Sequence, residues 1–152
     1  MNNQEWELLG HAAVDSGQLL LIDPAYINSR WEMRDFEDVR AYQHKETLDT
    51  LQFRVDFGMY TDPIESYDGK SMNELIDTGE WEKMPYQPDN GALSYNTVSH
   101  TTLTPARGGQ VGLGVAFSTG WGDGNYPVHV KRNTEGRIMQ VLINFNDEGY
   151  DE

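Results

Sequence analysis

The residues best suited to chemistry lie in Ser118-Thr119-Gly120-Trp121-Gly122-Asp123-Gly124-Asn125-Tyr126-Pro127-Val128, with a second group at Asp23-Pro24-Ala25-Tyr26. Asp23 precedes a proline and Asp123 lies between glycines, so each carboxylate is expected at a strand end, facing a loop. Two such groups sharing a cleft could serve as general acid and base, or hold Mg²⁺ or Ca²⁺ together with carbonyls and Asn125. A second chemistry uses the backbone. Gly120, Gly122 and Gly124 expose amides that form an anion nest, and Trp121 and Tyr126 supply faces for stacking a base or sugar. Lys131, Arg132 and Arg107 are the nearest basic side chains. A third reading is structural, because Asp before Pro and Asp beside Gly commonly bond nearby amides and stabilise turns. The candidate ligand-binding set is therefore Asp23, Tyr26, Trp121, Asp123, Asn125 and Tyr126, with no catalytic residue, metal site or cofactor assigned.

Several familiar chemistries lack a required residue. A phosphate loop needs a following helix or lysine, and here Pro127 and a strand follow instead. His11, His44, His100 and His129 stand apart without zinc-ligand spacing. His129 follows the glycine loop and alternates with Val128 and Val130, which suits a solvent-facing position or an acid–base group at a cleft. No serine has the G-x-S-x-G setting of a hydrolase, and Ser118 is expected to bond the loop backbone. The absence of cysteine excludes disulfides, thiolate catalysis and cysteine-held metal sites.

Charge narrows the partners. The formal charge of -14 comes from 25 acidic against 11 basic residues, a field that repels nucleic-acid phosphates but suits a basic protein partner or mimicry of DNA. A length of 152 residues predicts one β-rich domain over 1–152, ending in a frayed acidic tail at 147–152. No apolar run approaches a membrane span, and Met1-Asn2-Asn3-Gln4-Glu5-Trp6 has no leader character, so a cytoplasmic location is expected. The oligomeric state is left open.

The elements that position these residues are mostly short strands. Trp6 to Ile22 predicts two strands around a turn at Asp15-Ser16-Gly17, the second being the apolar run Gln18-Leu19-Leu20-Leu21-Ile22. Phe36, Val39 and Tyr42 behind Asp35, Glu37 and Asp38 suit a helix with an acidic first turn. Leu51, Phe53, Val55 and Phe57 alternate as one strand. The stretch 58–91 is expected as an excursion over the core, packed by Trp81 and Tyr86, with a short helix at Ser71 to Asp77. Ala92 to Ser94 and Thr97 to Thr104 read as a hairpin, followed by alternating strands through Val111–Phe117, Val128–Arg132 and Met139–Phe145, with a turn at Asn133-Thr134-Glu135-Gly136. The predicted fold is mainly β (α+β), an antiparallel β-sandwich or curled barrel with one or two small helices.

The opening Asp15-Ser16-Gly17-Gln18-Leu19-Leu20-Leu21-Ile22-Asp23-Pro24-Ala25-Tyr26, then Ser94-Tyr95, then Ser118 to Val128, resembles a widespread family of small bacterial and phage proteins of unassigned function. The resemblance covers the start and the last third of the chain. It implies a β-rich fold and a bacterial cell or phage-infected host, and no reaction. Three functional readings remain: a non-enzymatic binding module for a small polar or nucleotide-like ligand at Gly120–Val128, an acidic inhibitor or DNA mimic that engages a host protein, and a metal-assisted hydrolase using Asp23 and Asp123.

Overall fold

The computed structural model describes residues 5–87 and 91–147. Its strands are β1 (Glu7–Val14), β2 (Gln18–Leu21), β3 (Ala41–His44), β4 (Thr50–Gln52), β5 (Trp81–Lys83), β6 (Gly108–Val111), β7 (Gly114–Ser118), β8 (Gly124–Arg132) and β9 (Ile138–Ile143). Three helices accompany them: α1 (Ala25–Ser29), α2 (Met72–Asp77) and α3 (Tyr95–Thr102). The strands form three small antiparallel sheets in the orders β1-β8-β9, β2-β7-β6 and β4-β3-β5. None closes into a barrel, so the fold is mainly β, of α+β type, without the curled-barrel alternative. Among the described residues no helix is long and apolar enough to cross a membrane.

The turn at Asp15–Gly17 forms as expected, but its two strands diverge, β1 pairing with β8 and β2 with β7. The predicted strand through Phe57 stops at Gln52. Arg54 takes a positive φ of 70°, and Asp56 closes a turn by accepting the Gln52 amide at 2.7 Å while donating its own amide to the Gln52 carbonyl at 2.8 Å. The alternation of Phe53 and Phe57 thus brings two rings within 5.8 Å across a turn. The helix expected behind Asp35 is absent too. Asp38 instead accepts the Arg40 amide and guanidinium, a local bond that competes with helix formation, and Tyr42 enters β3.

The helix at Ser71–Asp77 is α2, started by a capping box in which Ser71 accepts the Glu74 amide and Glu74 accepts the Ser71 amide. The hairpin expected over Ala92–Thr104 is α3. Ser94 caps it by accepting the Thr97 amide at 3.1 Å, and the hydroxyls of Thr101 and Thr102 donate to carbonyls one turn back. Those internal bonds let a threonine-rich helix be buried almost all round. The alternation from Val111 to Phe117 is likewise split, with Gly112 and Leu113 turning β6 into β7. β9 ends at Ile143, and Phe145 enters a 3-10 turn over 145–147 rather than extending the strand. The predicted acidic tail falls, past 147, outside the described residues.

The stretch 58–91 is more than an excursion. Ile64, Met72, Leu75 and Trp81 join Tyr42, Leu51 and Phe57 in a buried cluster beneath the β4-β3-β5 sheet. A second cluster, Leu93, Val98, Val111 and Ala116, lies between α3 and the β2-β7-β6 sheet.

On the first cluster the Arg40 guanidinium stands 5.3 Å from the ring centres of both Phe53 and Tyr60, and the Tyr42 and Tyr60 hydroxyls bond at 3.0 Å. Burial, then that hydrogen bond, pushes the Tyr60 hydroxyl up to about 12. An unfolded tyrosine ionises near 10. The folded state therefore holds this proton more tightly, and the associated stability is full below about pH 10 and lost as pH rises through about 12. Denaturation followed across that window should show Tyr60→Phe losing less stability than the parent chain with rising pH.

Candidate functional site

The glycine loop is locked by its own bonds. The Gly122 amide donates to the Thr119 carbonyl at 3.0 Å, while the Gly122 carbonyl accepts the Thr119 hydroxyl at 2.7 Å and the Tyr126 hydroxyl at 2.8 Å. Tyr126 is buried, with Phe145 edge-on at 4.9 Å between ring centres. The Asp15–Gly17 turn packs beside this loop, since the Thr119 amide donates to the Gly17 carbonyl at 3.1 Å and a Cβ on Gly17 would lie 3.8 Å from the Gly122 Cα. Trp121 is 73% exposed at the tip, and Asp123 and Asn125 are exposed beside it.

Asp23 and Tyr26 lie elsewhere. The Asp23 carboxylate accepts the Ala25 amide at 2.9 Å and so starts α1, while half-buried Tyr26 packs against the Leu93–Ala116 cluster. Register sets the separation: Gln18 pairs with Ser118 beside the glycine loop, whereas Leu21 pairs with Val115 at the far end of β2. Asp123 reaches the Gly17 end, within 4.0 Å of where a Gly17 Cβ would stand. At 3.2–3.4 Å per extended residue, Asp23 is roughly 15–20 Å away. The six predicted residues thus form two groups, and the two carboxylates do not share a cleft of the size an acid–base pair needs. Among the described residues no three His, Asp or Glu side chains gather as a metal site.

The histidines take separate structural positions. His44 Nδ1 accepts the Glu46 and Thr47 amides, leaving Nε2 to face Glu80 at 3.2 Å. Buried His100 donates from Nε2 to the Glu37 carbonyl at 2.8 Å. His11 is exposed on β1, and His129 is half-buried on β8 with Nδ1 unpartnered.

A cavity of 460 Å³ opens between Lys83–Tyr86 and the end of α3, reaching Thr102–Pro105, Arg107 and Ser118. A neighbouring cavity of 670 Å³ shares Pro85, Tyr86, Thr104 and Pro105 and continues along Ala106 and Gly108–Gln110. Among the described residues the first lining holds two cations, Lys83 and Arg107, and no carboxylate. Neither cation enters an ion pair among the described residues. The Lys83 ammonium stands 5.2 Å from the Tyr86 ring centre, and burial pushes the Tyr86 hydroxyl above its ordinary range.

The walls are firmly placed. Arg107 turns at a positive φ of 62°, its amide donating to the Thr104 carbonyl and its carbonyl accepting the Ser118 amide. The Ser118 hydroxyl donates to the Thr102 carbonyl, tying β7 to α3 rather than bonding the glycine loop as expected. Sequence reading singled out Arg107 but missed Lys83, Tyr86, Thr102 and Thr104. The missed signal was the Ser94 cap three residues before Thr97, together with Thr104-Pro105 as a helix stop.

These features define a mainly β, α+β protein with a cation-lined groove beside a self-locked glycine loop. The chain belongs to a family of proteins of unknown function (DUF4241), whose model matches residues 4–143. No curated protein and no solved structure matches it.

Proposed function

We propose that the chain is a non-enzymatic binding module for a small polar, nucleotide-like anion, held in the groove between Lys83–Tyr86 and Thr102–Arg107. The observation that carries this reading is the lining: among the described residues it holds two cations and no carboxylate, in a chain of charge -14. Positive charge collected there attracts an anion against the field of the whole molecule. Tyr86 offers a face for a planar ring, and the 460 Å³ volume suits a small molecule. Among its described residues the lining has neither carboxylate nor imidazole for acid–base work, which favours binding over turnover. The ligand site thus moves from the glycine loop to its neighbour, with the loop holding the β7 end in place. Calorimetry and thermal shift with purine nucleoside phosphates, inorganic phosphate and free nucleosides test this. A phosphorylated nucleoside should bind best, and no binding by any phosphate-bearing compound would overturn the reading.

A second reading, engagement of a basic protein, draws on residues 56–82. Asp56, Asp62, Glu65, Asp68, Glu74, Asp77, Glu80 and Glu82 are all exposed there, against Lys70 as the one basic residue. Polylysine should then bind in a strongly salt-dependent way, and charge reversal at Asp62, Glu65 and Asp68 should weaken it more than reversal at acids outside this stretch. Equal effects would count against a dedicated face.

A further inference from the structure

β9 has the composition of an interior strand but stands at a sheet edge. Ile138-Met139-Gln140-Val141-Leu142-Ile143 carries no charge, and its apolar side chains point to both faces, with Met139 62% and Val141 59% exposed. Strands apolar on both faces are ordinarily flanked on both sides. β9 pairs with β8 on one side, and among the described residues nothing pairs with the other. Natural edges are blunted by lysine, proline, inward charges or bulges. The opposite edge of this sheet, β1, has a register shift between Leu8 and Gly10. β9 has a register shift of its own that leaves Met139 unpaired between Ile138 and Gln140, but from Gln140 to Ile143 it pairs in regular register without lysine, proline or charge.

We propose that this edge is covered by a second copy of the chain, β9 pairing antiparallel with β9 about a two-fold axis to join two three-stranded sheets into one of six. Such an axis, perpendicular to the sheet, requires paired residues to lie on the same face, so a register centred on Val141 sets Val141 against its own counterpart within the regular stretch Gln140–Ile143. Charge agrees with self-association here and opposes it elsewhere. The β1 and β8–β9 segments carry Lys131, Arg132 and Arg137 against Glu7 and Glu135, a near-balanced patch on a chain of -14. Arg132 is already paired with Glu7 and Arg137 with Glu135.

Sedimentation equilibrium of the whole chain tests the pairing. The parent should run at twice the chain mass and dissociate on dilution. Because the axis passes beside residue 141, one substitution acts twice: Val141→Lys places two ammonium groups opposite each other and should raise the dimer dissociation constant roughly tenfold or more, as should Val141→Glu. Mixing the two variants should restore a dimer, since lysine then faces glutamate. Circular dichroism checks that each variant folds, and hydrogen exchange on the parent gives an independent reading, with the outward amides of β9 more protected at high concentration. A parent that stays monomeric, charged variants that dimerise as tightly as the parent, a mixture that fails to recover, or β9 exchange independent of concentration would each overturn the proposal.

Discussion

Gly120→Ala should lower the unfolding free energy by about 2–4 kcal/mol, one of the largest effects expected of any single methyl group in this chain. Two causes add. Gly120 sits at φ 54°, where a side chain costs about 1–2 kcal/mol. A Cβ there would also stand 2.9 Å from the Phe145 Cβ, the root of that side chain rather than a movable end. Relief would require shifting Phe145, whose ring lies edge-on to Tyr126 at 4.9 Å and 6.1 Å from Phe117. Gly112→Ala separates the causes, because its φ of 52° matches that of Gly120 but nothing lies within 4 Å of the added carbon. Urea denaturation should place Gly112→Ala near the strain cost alone and Gly120→Ala well beyond it. Equal losses would mean that Phe145 yields freely and the close approach has no energetic weight.

This comparison also bears on what the sequence made legible. Period-two alternation located β9 and the second half of β8, which begins at Gly124 inside the expected loop rather than at Val128, and the Asp15–Gly17 and Asn133–Gly136 turns were readable from their own side chains; Asn133 Oδ1 accepts the Glu135 and Arg137 amides. Alternation misled where a tight turn places residues two and four apart on one side, as at Phe53 and Phe57. It also misled at α3, because threonine and valine favour strands until their hydroxyls are satisfied within a helix. That one error hid the groove, whose wall is the end of α3. The companion wall, Lys83–Tyr86, follows β5, placed by Trp81 in a core that reaches back 39 positions to Tyr42, and no local pattern announces such a pairing. The glycine loop was found for a sound reason, its demand for positive φ at Gly120 and Gly122, and the Gly122 amide and carbonyl are bonded within it to Thr119 and Tyr126. Asp23 and Asp123 were each legible as loop-facing carboxylates. Their separation depends on β2 running between them, which only the β2–β7 register reveals.

Arg107→Gly should weaken the anion bound in the groove while making the free protein more stable. Arginine at φ 62° costs about 1–2 kcal/mol, and glycine removes that strain at an unfolded-state entropy cost of about 0.5–1 kcal/mol. The net gain is up to about 1 kcal/mol, since both backbone bonds, to the Thr104 carbonyl and from the Ser118 amide, survive the change. Affinity moves the other way. A guanidinium hydrogen-bonded to an anion contributes about 1.5–3 kcal/mol, so its loss should raise the dissociation constant roughly 10–100-fold. Arg107→Ala should lose the same affinity without the gain in stability, because alanine keeps the strained backbone. Arg107→Lys should fall between, retaining the charge but not the planar fork. Raising salt should erode the difference between parent and variant. Denaturation and calorimetry on the same four proteins read both quantities. A stabilised Arg107→Gly with unchanged affinity would place the ligand elsewhere, and a destabilised one would mean that the Arg107 side chain holds the groove together; opposite signs in the two measurements are what backbone strain kept for a binding cation predicts.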